Sequence, residues 1–401
     1  MVFYFLIVFG FYFALLTLLR IGWERSMYNT SSLRGRNLPA RTVWQAGDRS
    51  NLLKISVVIA MRNEAGNIEN VLQSLAKQNY SSKDFEIIIV DDHSEDESIA
   101  MAQKFVTTFL NLKIISLDEN RSGPPAETVL RAGKKAALTK AIAAAQGKII
   151  ATTDADCTLP ETWLTHINSL FQNEEVKMGV GLVAIEANNN FFSQWQAMEL
   201  ASVMGTAAAT LGLGKPTMCN GANLAFRKEV FEEVKGYEGN AHIASGDDEF
   251  LMRKIIDKYP NSVQLVSAAN SLVQTKPQHS LAGFIQQRIR WASKWKANTS
   301  QFSKSLAVFI FLLQASWVAL WICLCCKWSV PLGLILIFKI VFDLIFLLPL
   351  FRFLKIKFRV LPFVGLQFFY PFYVLFIGIF QWRSYVWKGR LATEGTDKNK
   401  K

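Results

Sequence analysis

Four long apolar segments, one at the start of the chain and three near its end, limit the folds that this sequence can adopt. Residues 1–19 carry no charged side chain, and residues 306–326, 330–350 and 361–382 are of similar length. A helix of about 20 apolar residues crosses the hydrocarbon core of a bilayer. Hydrophobic residues also make up 51% of the 401 residues. We therefore predict an integral membrane protein with one N-terminal and about three C-terminal transmembrane helices.

The first segment is interpreted as a retained anchor rather than a cleaved signal peptide. No basic stretch precedes it, and no small-residue cleavage site follows it. Basic residues cluster between positions 20 and 36 and again between 352 and 359. Cytoplasmic loops are enriched in Lys and Arg, so we expect the middle of the chain on the cytoplasmic side of a bacterial inner membrane. Basic residues also follow the last segment, which leaves the side of the C-terminal tail open.

The middle of the chain, residues 54–278, alternates short β-rich runs with helical patterns. The runs are KISVVIAM (54–61), FEIIIVDD (85–92), LKIIS (112–116) and KIIATTDAD (148–156). Such alternation predicts an α/β domain with a mostly parallel sheet covered on both faces. Ligands of these sheets bind beyond the carboxyl ends of the strands.

Acidic residues follow three of these predicted strands, in MRNEAGN (61–67), VDDHSEDES (90–98) and TTDADC (152–157). Helix N-capping explains any one of them. As a set, however, three carboxylate-bearing strand ends at one edge would repel each other without a cation. Hard oxygen ligands suit Mg²⁺ or Mn²⁺, which also bind diphosphate oxygens. The pattern therefore predicts a divalent metal and an anionic ligand at this edge.

The middle domain resembles the membrane-bound members of glycosyltransferase family 2, such as the hyaluronan, chitin and cellulose synthases and the ceramide glucosyltransferases. The resemblance rests on an ordered series of motifs: VVIAMRNEAGNI, IIIVDDHSEDES, RAGKKAAL, TTDADC, CNGANLAFRK, SGDDEF and QQRIRW. It implies a GT-A fold, which is Rossmann-like, and a nucleotide-diphosphate sugar donor, commonly a UDP-sugar. It also implies a divalent metal, Mg²⁺ or Mn²⁺, and inversion at the anomeric carbon.

The resemblance assigns a donor site residue by residue. Binding of the nucleotide-sugar is assigned to Glu64, Asp91, Asp92, Lys135, Asp154, Gly221, Asn223 and Asp247. In this assignment the Asp91–Asp92 pair and Glu64 hold the nucleoside, and Lys135 touches the diphosphate. Asp156 of the D-x-D motif is the expected metal ligand, with Asp154 on the metal or on the donor sugar.

Two later motifs are assigned to catalysis by the same resemblance. In SGDDEF the catalytic base is Asp248, with the neighbouring Glu249 as the alternative, and a helix N-cap is the other reading of Asp247. In QQRIRW the matching residues are Gln287, Arg290 and Trp291. An Arg there can oppose leaving-group phosphate charge, and a Trp can stack on a sugar or acceptor. The surrounding stretch also has the pattern of a basic amphipathic helix at a membrane surface.

These interpretations divide the chain into six parts. They are a transmembrane anchor (1–22), a basic linker (23–53), the GT-A catalytic domain (54–278), an amphipathic interface helix (279–304), the C-terminal transmembrane helices (305–386) and a polar tail (387–401). Within the helices, Lys339 and Asp343 stand four residues apart. We interpret them as a self-neutralising pair that faces neighbouring helices, in preference to an acceptor contact.

The predicted function is transfer of a sugar to a lipid or lipid-linked acceptor. A processive polysaccharide synthase is the alternative, because the Q-x-x-R-W motif occurs in both classes. A transporter would not need the acidic motifs, and an inactive relative would be expected to have lost one of them. The formal net charge of +12 fits contact with membrane lipids. No nucleic-acid partner is expected, since no motif of that kind is found.

Overall fold

The protein is described from a computed structural model of the 401-residue chain. The structure describes residues 1–32, 52–117, 133–239, 246–266, 270–294 and 298–380, and the backbone of 385–387 and 390–392. Most of the predicted basic linker and most of the predicted polar tail lie outside these residues.

Helices and short strands alternate through the middle of the chain and give way to long helices at both ends. The helices are α1 (Val2–Ser32), α2 (Ile68–Ala76), α3 (Ser98–Gln103), α4 (Lys134–Ala144), α5 (Trp163–Phe171), α6 (Phe191–Gly212), α7 (Lys228–Glu233), α8 (Asp247–Lys258), α9 (Leu281–Ser293), α10 (Gln301–Cys326), α11 (Val330–Phe353) and α12 (Val360–Phe380). The strands are β1 (Ile55–Met61), β2 (Phe85–Asp91), β3 (Leu112–Ser116), β4 (Ile149–Asp154), β5 (Cys157–Thr158), β6 (Met178–Gly181), β7 (Val183–Ile185), β8 (Leu224–Arg227), β9 (Val263–Val266), β10 (Val273–Thr275), β11 (Tyr385–Trp387) and β12 (Arg390–Ala392).

The chain divides into two compact units. The sheet unit holds Met27–Val183 and Met218–Lys276, and the apolar-helix unit holds Met1–Ser26, Ala184–Thr217 and Pro277–Tyr385. The sequence interpretation placed residues 184–217 inside the catalytic domain. In the structure, α6 in that range belongs to the same unit as the long apolar helices.

A seven-stranded sheet forms the centre of the sheet unit, in the order β3-β2-β1-β4-β8-β6-β9. The first four strands run parallel, β8 runs antiparallel to β4 and to β6, and β6 runs parallel to β9. The central strands β1 and β2 are apolar and almost wholly buried, as expected when helices cover both faces of a sheet. The predicted α/β fold with a mostly parallel sheet is confirmed.

The register of the parallel strands brings their acidic ends to one edge. Met61 at the end of β1 pairs with Asp91 at the end of β2. On the other side of β1, Ala60 pairs with Asp154 at the end of β4. Asp91 and Asp154 therefore lie at the same edge of the sheet, on the two strands that flank β1.

Four helices in the described part of the chain are long and apolar enough to cross a membrane, which matches the predicted number and positions. They are Val2–Tyr28, Gln301–Cys326, Val330–Phe353 and Val360–Phe380. The last of these helices contains Pro371 in its interior and continues to Phe380.

The apolar-helix unit has close helix contacts at glycine and a buried polar cluster. A Cβ at Gly212 of α6 would lie 1.9 Å from the carbonyl oxygen of Gly22 in α1, so only glycine fits there. Within α11 the Lys339 Nζ lies 2.7 Å from the carboxylate of Asp343. The same Nζ donates to Oε1 of Gln367 at 2.5 Å, and Tyr12 donates to Asp343. The expected self-neutralising pair is thus formed, with partners on α1 and α12.

Candidate functional site

The loop that follows β2 carries two buried carboxylates assigned to the nucleoside. Asp91 and Asp92 are each 2% exposed. Asp91 accepts hydrogen bonds from the backbone N–H of Ser94 at 3.1 Å and from its hydroxyl at 2.5 Å. Asp92 accepts from the backbone N–H of Gly133 at 3.2 Å, and its carboxylate lies 3.3 Å from His93 Nδ1. Both acids therefore order the loops at this edge.

Arg62, to which the sequence interpretation gave no role, secures the same loop. Its Nη1 donates to the carbonyl oxygens of Asp92 at 2.7 Å and of His93 at 2.9 Å, and its Nη2 lies 3.1 Å from Glu95. Glu64 lies two residues further along. Its backbone N–H donates to Ser98 Oγ at 2.7 Å, and its Oε2 accepts from Asn67 at 2.7 Å.

The D-x-D motif spans the end of β4 and the turn after it. Asp154 ends the strand, and its side chain is 38% exposed. Asp156 precedes β5, which pairs antiparallel with β10 through Cys157 and Thr275. Burial, with the charges of Asp156 and Asp154, raises the pKa of the Cys157 thiol well above its usual range. That thiol therefore stays protonated and is no nucleophile at neutral pH.

Lys134, the residue before the predicted diphosphate ligand Lys135, forms an ion pair with the D-x-D motif. The Nζ of Lys134 lies 2.5 Å from Oδ1 of Asp154. Burial lowers the pKa of Lys134, but the charges of Asp154, Asp247 and Asp248 outweigh burial and raise it above its ordinary value. Lys135 is 4% exposed, and its Nζ lies 5.5 Å from the centre of the Phe250 ring.

The sequence alone does not separate these two lysines. Both follow Gly133, whose φ of +90° lets the chain enter α4 in a conformation that other residues rarely adopt. Consecutive residues of a helix point about 100° apart; the charges of both lysines act on Asp247, but the ion pair with Asp154 is made by Lys134. The sequence shows two consecutive lysines at the start of a helix. The structure is needed to see which of them pairs with Asp154.

The acidic start of α8 lies beside the turn at Gly221. The backbone N–H of Gly221 donates to Asp248 Oδ2 at 3.0 Å, and Thr152 of β4 donates to the Gly221 carbonyl at 2.7 Å. A Cβ at Gly221 would lie 3.6 Å from Lys134 Nζ and 3.7 Å from Asp247 Oδ2. The structure therefore brings Lys134, Asp154, Asp247 and Asp248 together around one glycine.

The two aspartates at the start of α8 differ in their surroundings. Gly246 precedes them with a φ of +81° and turns the chain into the helix. Burial and the charge of Asp248 raise the pKa of Asp247, while Lys134 opposes that rise. Asp248 is more exposed than Asp247 or Glu249, both of which are buried. Of the three acids, Asp248 is thus the most accessible to a substrate.

Asn223, assigned to the border of the sugar pocket, uses its side chain inside the domain. Its Oδ1 accepts from Trp163 Nε1 at 2.9 Å, and its Nδ2 donates to the carbonyls of Leu182 at 2.9 Å and Ser271 at 3.0 Å. A Cβ at Gly181 would lie only 2.1 Å from this amide. These contacts fix the turn that holds Gly221.

The residues of the Q-x-x-R-W motif lie on α9, in the apolar-helix unit. Gln287 Oε1 accepts from Arg288 Nη1 at 2.5 Å, and the Arg288 guanidinium lies 4.3 Å from the centre of the Trp291 ring. Arg290 is on the same helix, and its carbonyl accepts from Ser293 at 2.9 Å. The predicted helix in this segment is present from Leu281 to Ser293.

The described residues can contribute to a metal site but do not complete one. Within the described ranges, no three His, Cys, Asp or Glu side chains are grouped to hold a metal ion by themselves. Mg²⁺ is commonly bound by one or two carboxylates together with substrate phosphates and water. The D-x-D carboxylates fit that arrangement, in which the nucleotide supplies the other ligands.

Comparison with solved structures supports the fold. The chain is similar to the mannosyltransferase PcManGT from Pyrobaculum calidifontis, with a TM-score of 0.52 and 17% identity over 92% of this chain and 96% of that chain. A similarity at this identity shows a shared fold. It confirms the predicted GT-A architecture.

Curated relatives match parts of the chain. Glycosyltransferase AglE of Haloferax volcanii is 27% identical over 52% of this chain and 63% of its own length. Beta-monoglucosyldiacylglycerol synthase of Trichormus variabilis is 24% identical over 62% of this chain and 50% of its own length. Poly-beta-1,6-N-acetyl-D-glucosamine synthase of Staphylococcus epidermidis is 23% identical over 67% of this chain and 63% of its own length. The chain thus spans less than two thirds of each of these relatives.

Family comparison agrees with the motif series. Residues 56–235 match the family described as Glycosyl transferase family 2. Residues 149–387, more than half of the chain, match Glycosyl transferase family group 2. The chain therefore belongs to the family 2 glycosyltransferases.

Proposed function

We propose that this protein is a membrane-bound glycosyltransferase that moves a sugar from a nucleotide-diphosphate sugar to a lipid or lipid-linked acceptor. The observation that carries the proposal is the cluster of Lys134, Asp154, Asp247 and Asp248 around Gly221 at the carboxyl end of the sheet. Ligands of parallel α/β sheets bind at that end of the strands. The cluster supplies a cation for phosphate and carboxylates for a metal and a proton.

The donor is assigned along the same edge. Glu64, Asp91 and Asp92 would hold the nucleoside, and Asp154 would hold the donor ribose or sugar. We reassign the diphosphate contact from Lys135 to Lys134, because Lys134 is paired with the D-x-D motif. The fold neighbour PcManGT is described in complex with GDP-Man and Mn²⁺, so both UDP- and GDP-sugars belong in the donor test.

The residues that would hold a divalent metal are Asp156 and Asp154. A bound Mg²⁺ or Mn²⁺ would neutralise charge on the departing diphosphate. Lys134 would share that task by a direct contact with a phosphate oxygen. It would then exchange its ion pair with Asp154 for one with the donor.

The proposed chemistry is a single displacement with inversion. The acceptor hydroxyl oxygen bonds to the anomeric carbon as the bond from that carbon to the diphosphate oxygen breaks, and Asp248 takes the hydroxyl proton. Positioned general bases typically contribute about 10² to 10⁴-fold to rate. Gln287, Arg290 and Trp291 are assigned to the same reaction on the motif resemblance.

The acceptor is the least constrained part of the proposal. The relative from Trichormus variabilis is named as a glycolipid synthase, whereas the one from Staphylococcus epidermidis is named as a polysaccharide synthase. The four candidate spans found among the described residues, one of them before the catalytic domain, are few for a polymer channel. We therefore favour a lipid acceptor, with the catalytic domain in the cytoplasm, and keep a processive synthase as the second candidate.

The experiment is a donor panel on membranes that contain the protein. Radiolabelled UDP- and GDP-sugars are added, and the products are separated into organic-soluble and polymeric fractions. Label in the organic phase that depends on Asp248 supports lipid glycosylation. Label in insoluble polymer supports the processive alternative, and no transfer from any donor contradicts both.

A further inference from the structure

A buried ion pair lies beside the Q-x-x-R-W residues in the apolar-helix unit. Arg288 of α9 is 5% exposed and Glu199 of α6 is 1% exposed. The Arg288 Nε lies 3.2 Å from Glu199 Oε1, and its Nη2 donates to Oε2 of the same carboxylate. The contact is therefore bidentate, which fixes the plane of the guanidinium as well as its position.

The last apolar helix completes this pair. The hydroxyl of Tyr373 in α12 donates to Glu199 Oε1 at 2.5 Å. The Tyr373 ring lies 5.5 Å from that of Phe284 and 5.8 Å from that of Trp195, between ring centres. The carboxylate thus receives hydrogen bonds from two helices inside an aromatic enclosure.

Arg288 also contacts Gln287 and Trp291 of the Q-x-x-R-W motif. Its Nη1 donates to Gln287 Oε1 at 2.5 Å. Its guanidinium lies 4.3 Å from the ring centres of both Phe284 and Trp291. Phe284, Arg288 and Trp291 stand at i, i+4 and i+7, so they share one face of α9.

Such a pair is a poor way to gain stability alone, because taking two charges out of water costs free energy that their attraction offsets only in part. A well-packed apolar set of the same volume would often be at least as stable. What the pair adds is a fixed orientation. We propose that Glu199, Arg288 and Tyr373 are positioning residues, which hold Gln287 and Trp291 in the arrangement that sugar transfer to the acceptor requires.

This inference rests on the proposed function and adds to it a role for the final apolar helix. It assigns acceptor engagement and donor binding to different sets of residues. Acceptor engagement depends on the positioned Gln287 and Trp291, whereas donor binding depends on the residues at the sheet edge. Loss of the positioning residues is therefore expected to reduce transfer to the acceptor more than hydrolysis of the donor by water.

The test uses the full chain in lipid nanodiscs and the variants Arg288→Lys, Tyr373→Phe and Tyr370→Phe. Arg288→Lys keeps the charge but loses the planar fork. Tyr373→Phe removes one hydroxyl. Tyr370→Phe is the matched control, because within the described residues its hydroxyl makes no hydrogen bond to Glu199, although its ring lies 5.2 Å from Tyr373.

Transfer to acceptor, hydrolysis of donor and the thermal unfolding midpoint are measured for each variant. A misplacement of about 1 Å can cost about 10²-fold in rate, so we expect Arg288→Lys to reduce transfer by about 10- to 100-fold while hydrolysis changes less than about threefold. Tyr373→Phe should act in the same direction by a smaller factor, and Tyr370→Phe should match the wild type.

A double-mutant cycle between Arg288→Lys and Gln287→Ala gives a readout that general destabilisation would not produce. If Arg288 acts through Gln287, the double variant loses less activity than the product of the two single losses. A simple product, or equal loss of transfer and hydrolysis in step with unfolding, would overturn the positioning role. A wild-type protein that transfers no sugar would instead overturn the proposed function and this inference with it.

Discussion

The Nζ of Lys134 lies 2.5 Å from Oδ1 of Asp154, at the end of the central strand β4. The charges of Asp247 and Asp248 act on the same lysine. One cation therefore sits among three carboxylates at the edge where a nucleotide-sugar is expected. The positive charge of Lys134 would act on the donor phosphates as a bound metal ion would. A substitution of Lys134 therefore tests the donor site.

Lys134→Met should weaken donor binding and slow turnover. The substitution removes a charge-assisted contact to phosphate and takes one cation from among the carboxylates, so we expect the donor KM to rise by about tenfold or more. Lys140→Met is the control on the same helix, because Lys140 is bonded to the Ser116 carbonyl at 2.8 Å in an exposed position. The donor KM of both variants is obtained from initial rates over a range of donor concentrations. Equal kinetics for the two variants would refute the assignment of the diphosphate to Lys134.

Asp248→Asn should lose catalysis but keep the nucleotide. The amide cannot accept the acceptor proton, so we expect kcat to fall by about 10² to 10⁴-fold. Nucleotide affinity, measured by titration calorimetry, should change little. Glu249→Gln is the matched control next in sequence, and it should retain most of the activity. If the Glu249 variant were the inactive one, the base would have been placed on the wrong residue.

Asp247→Asn should make the protein more stable at neutral pH. Burial raises the pKa of Asp247 above the ordinary value of 3.8, so the folded state holds this proton more tightly than the unfolded chain. Ionisation of Asp247 therefore costs stability as the pH rises through the raised pKa. We expect a higher thermal midpoint for Asp247→Asn at pH 7, with the difference shrinking towards pH 4. A midpoint below that of the wild type at pH 7 would show that the charge is favoured in the fold.

The buried Lys339–Asp343 pair should stabilise the packing of the apolar helices rather than serve the acceptor. Removing one partner of a buried pair leaves an uncompensated charge, which costs about 3 to 5 kcal/mol in soluble proteins. Lys339→Met should therefore lower the free energy of unfolding in detergent more than the double variant Lys339→Met/Asp343→Leu. Transfer activity per folded molecule should stay near that of the wild type. A folded double variant without activity would favour an acceptor contact instead.

Much of the fold follows from local sequence patterns. Each of the runs that predicted β1 to β4 has an apolar, β-rich centre, and the structure forms those strands within one or two residues of the expected positions. The apolar segments were equally clear. By contrast, β8 follows the turn at Gly221 and runs antiparallel to both of its neighbours, β4 and β6. Tertiary pairing of that kind leaves no local signal.

The sequence predicted which motifs form the site, but it did not predict the contacts of each side chain. The acidic ends of β2 and β4 lie at one edge of the sheet because parallel strands align their carboxyl ends. Which of two consecutive lysines pairs with Asp154 depends on the angle at which α4 begins. In the same way, Asn223 stands in a motif that suggested sugar contact, yet its amide hydrogen-bonds within the domain. Helix α6 was included in the predicted catalytic domain, 54–278, yet it belongs to the apolar-helix unit.

Metal-dependent turnover of the donor tests the central claim most directly, namely that these strand ends bind one activated sugar through a divalent cation. Purified protein is treated with a chelator, and release of nucleoside diphosphate from UDP- and GDP-sugars is measured before and after addition of Mn²⁺ or Mg²⁺. We predict that chelation abolishes release, that added metal restores it, and that Asp156→Ala prevents restoration. Undiminished release from the Asp156→Ala protein in the presence of chelator would contradict the account.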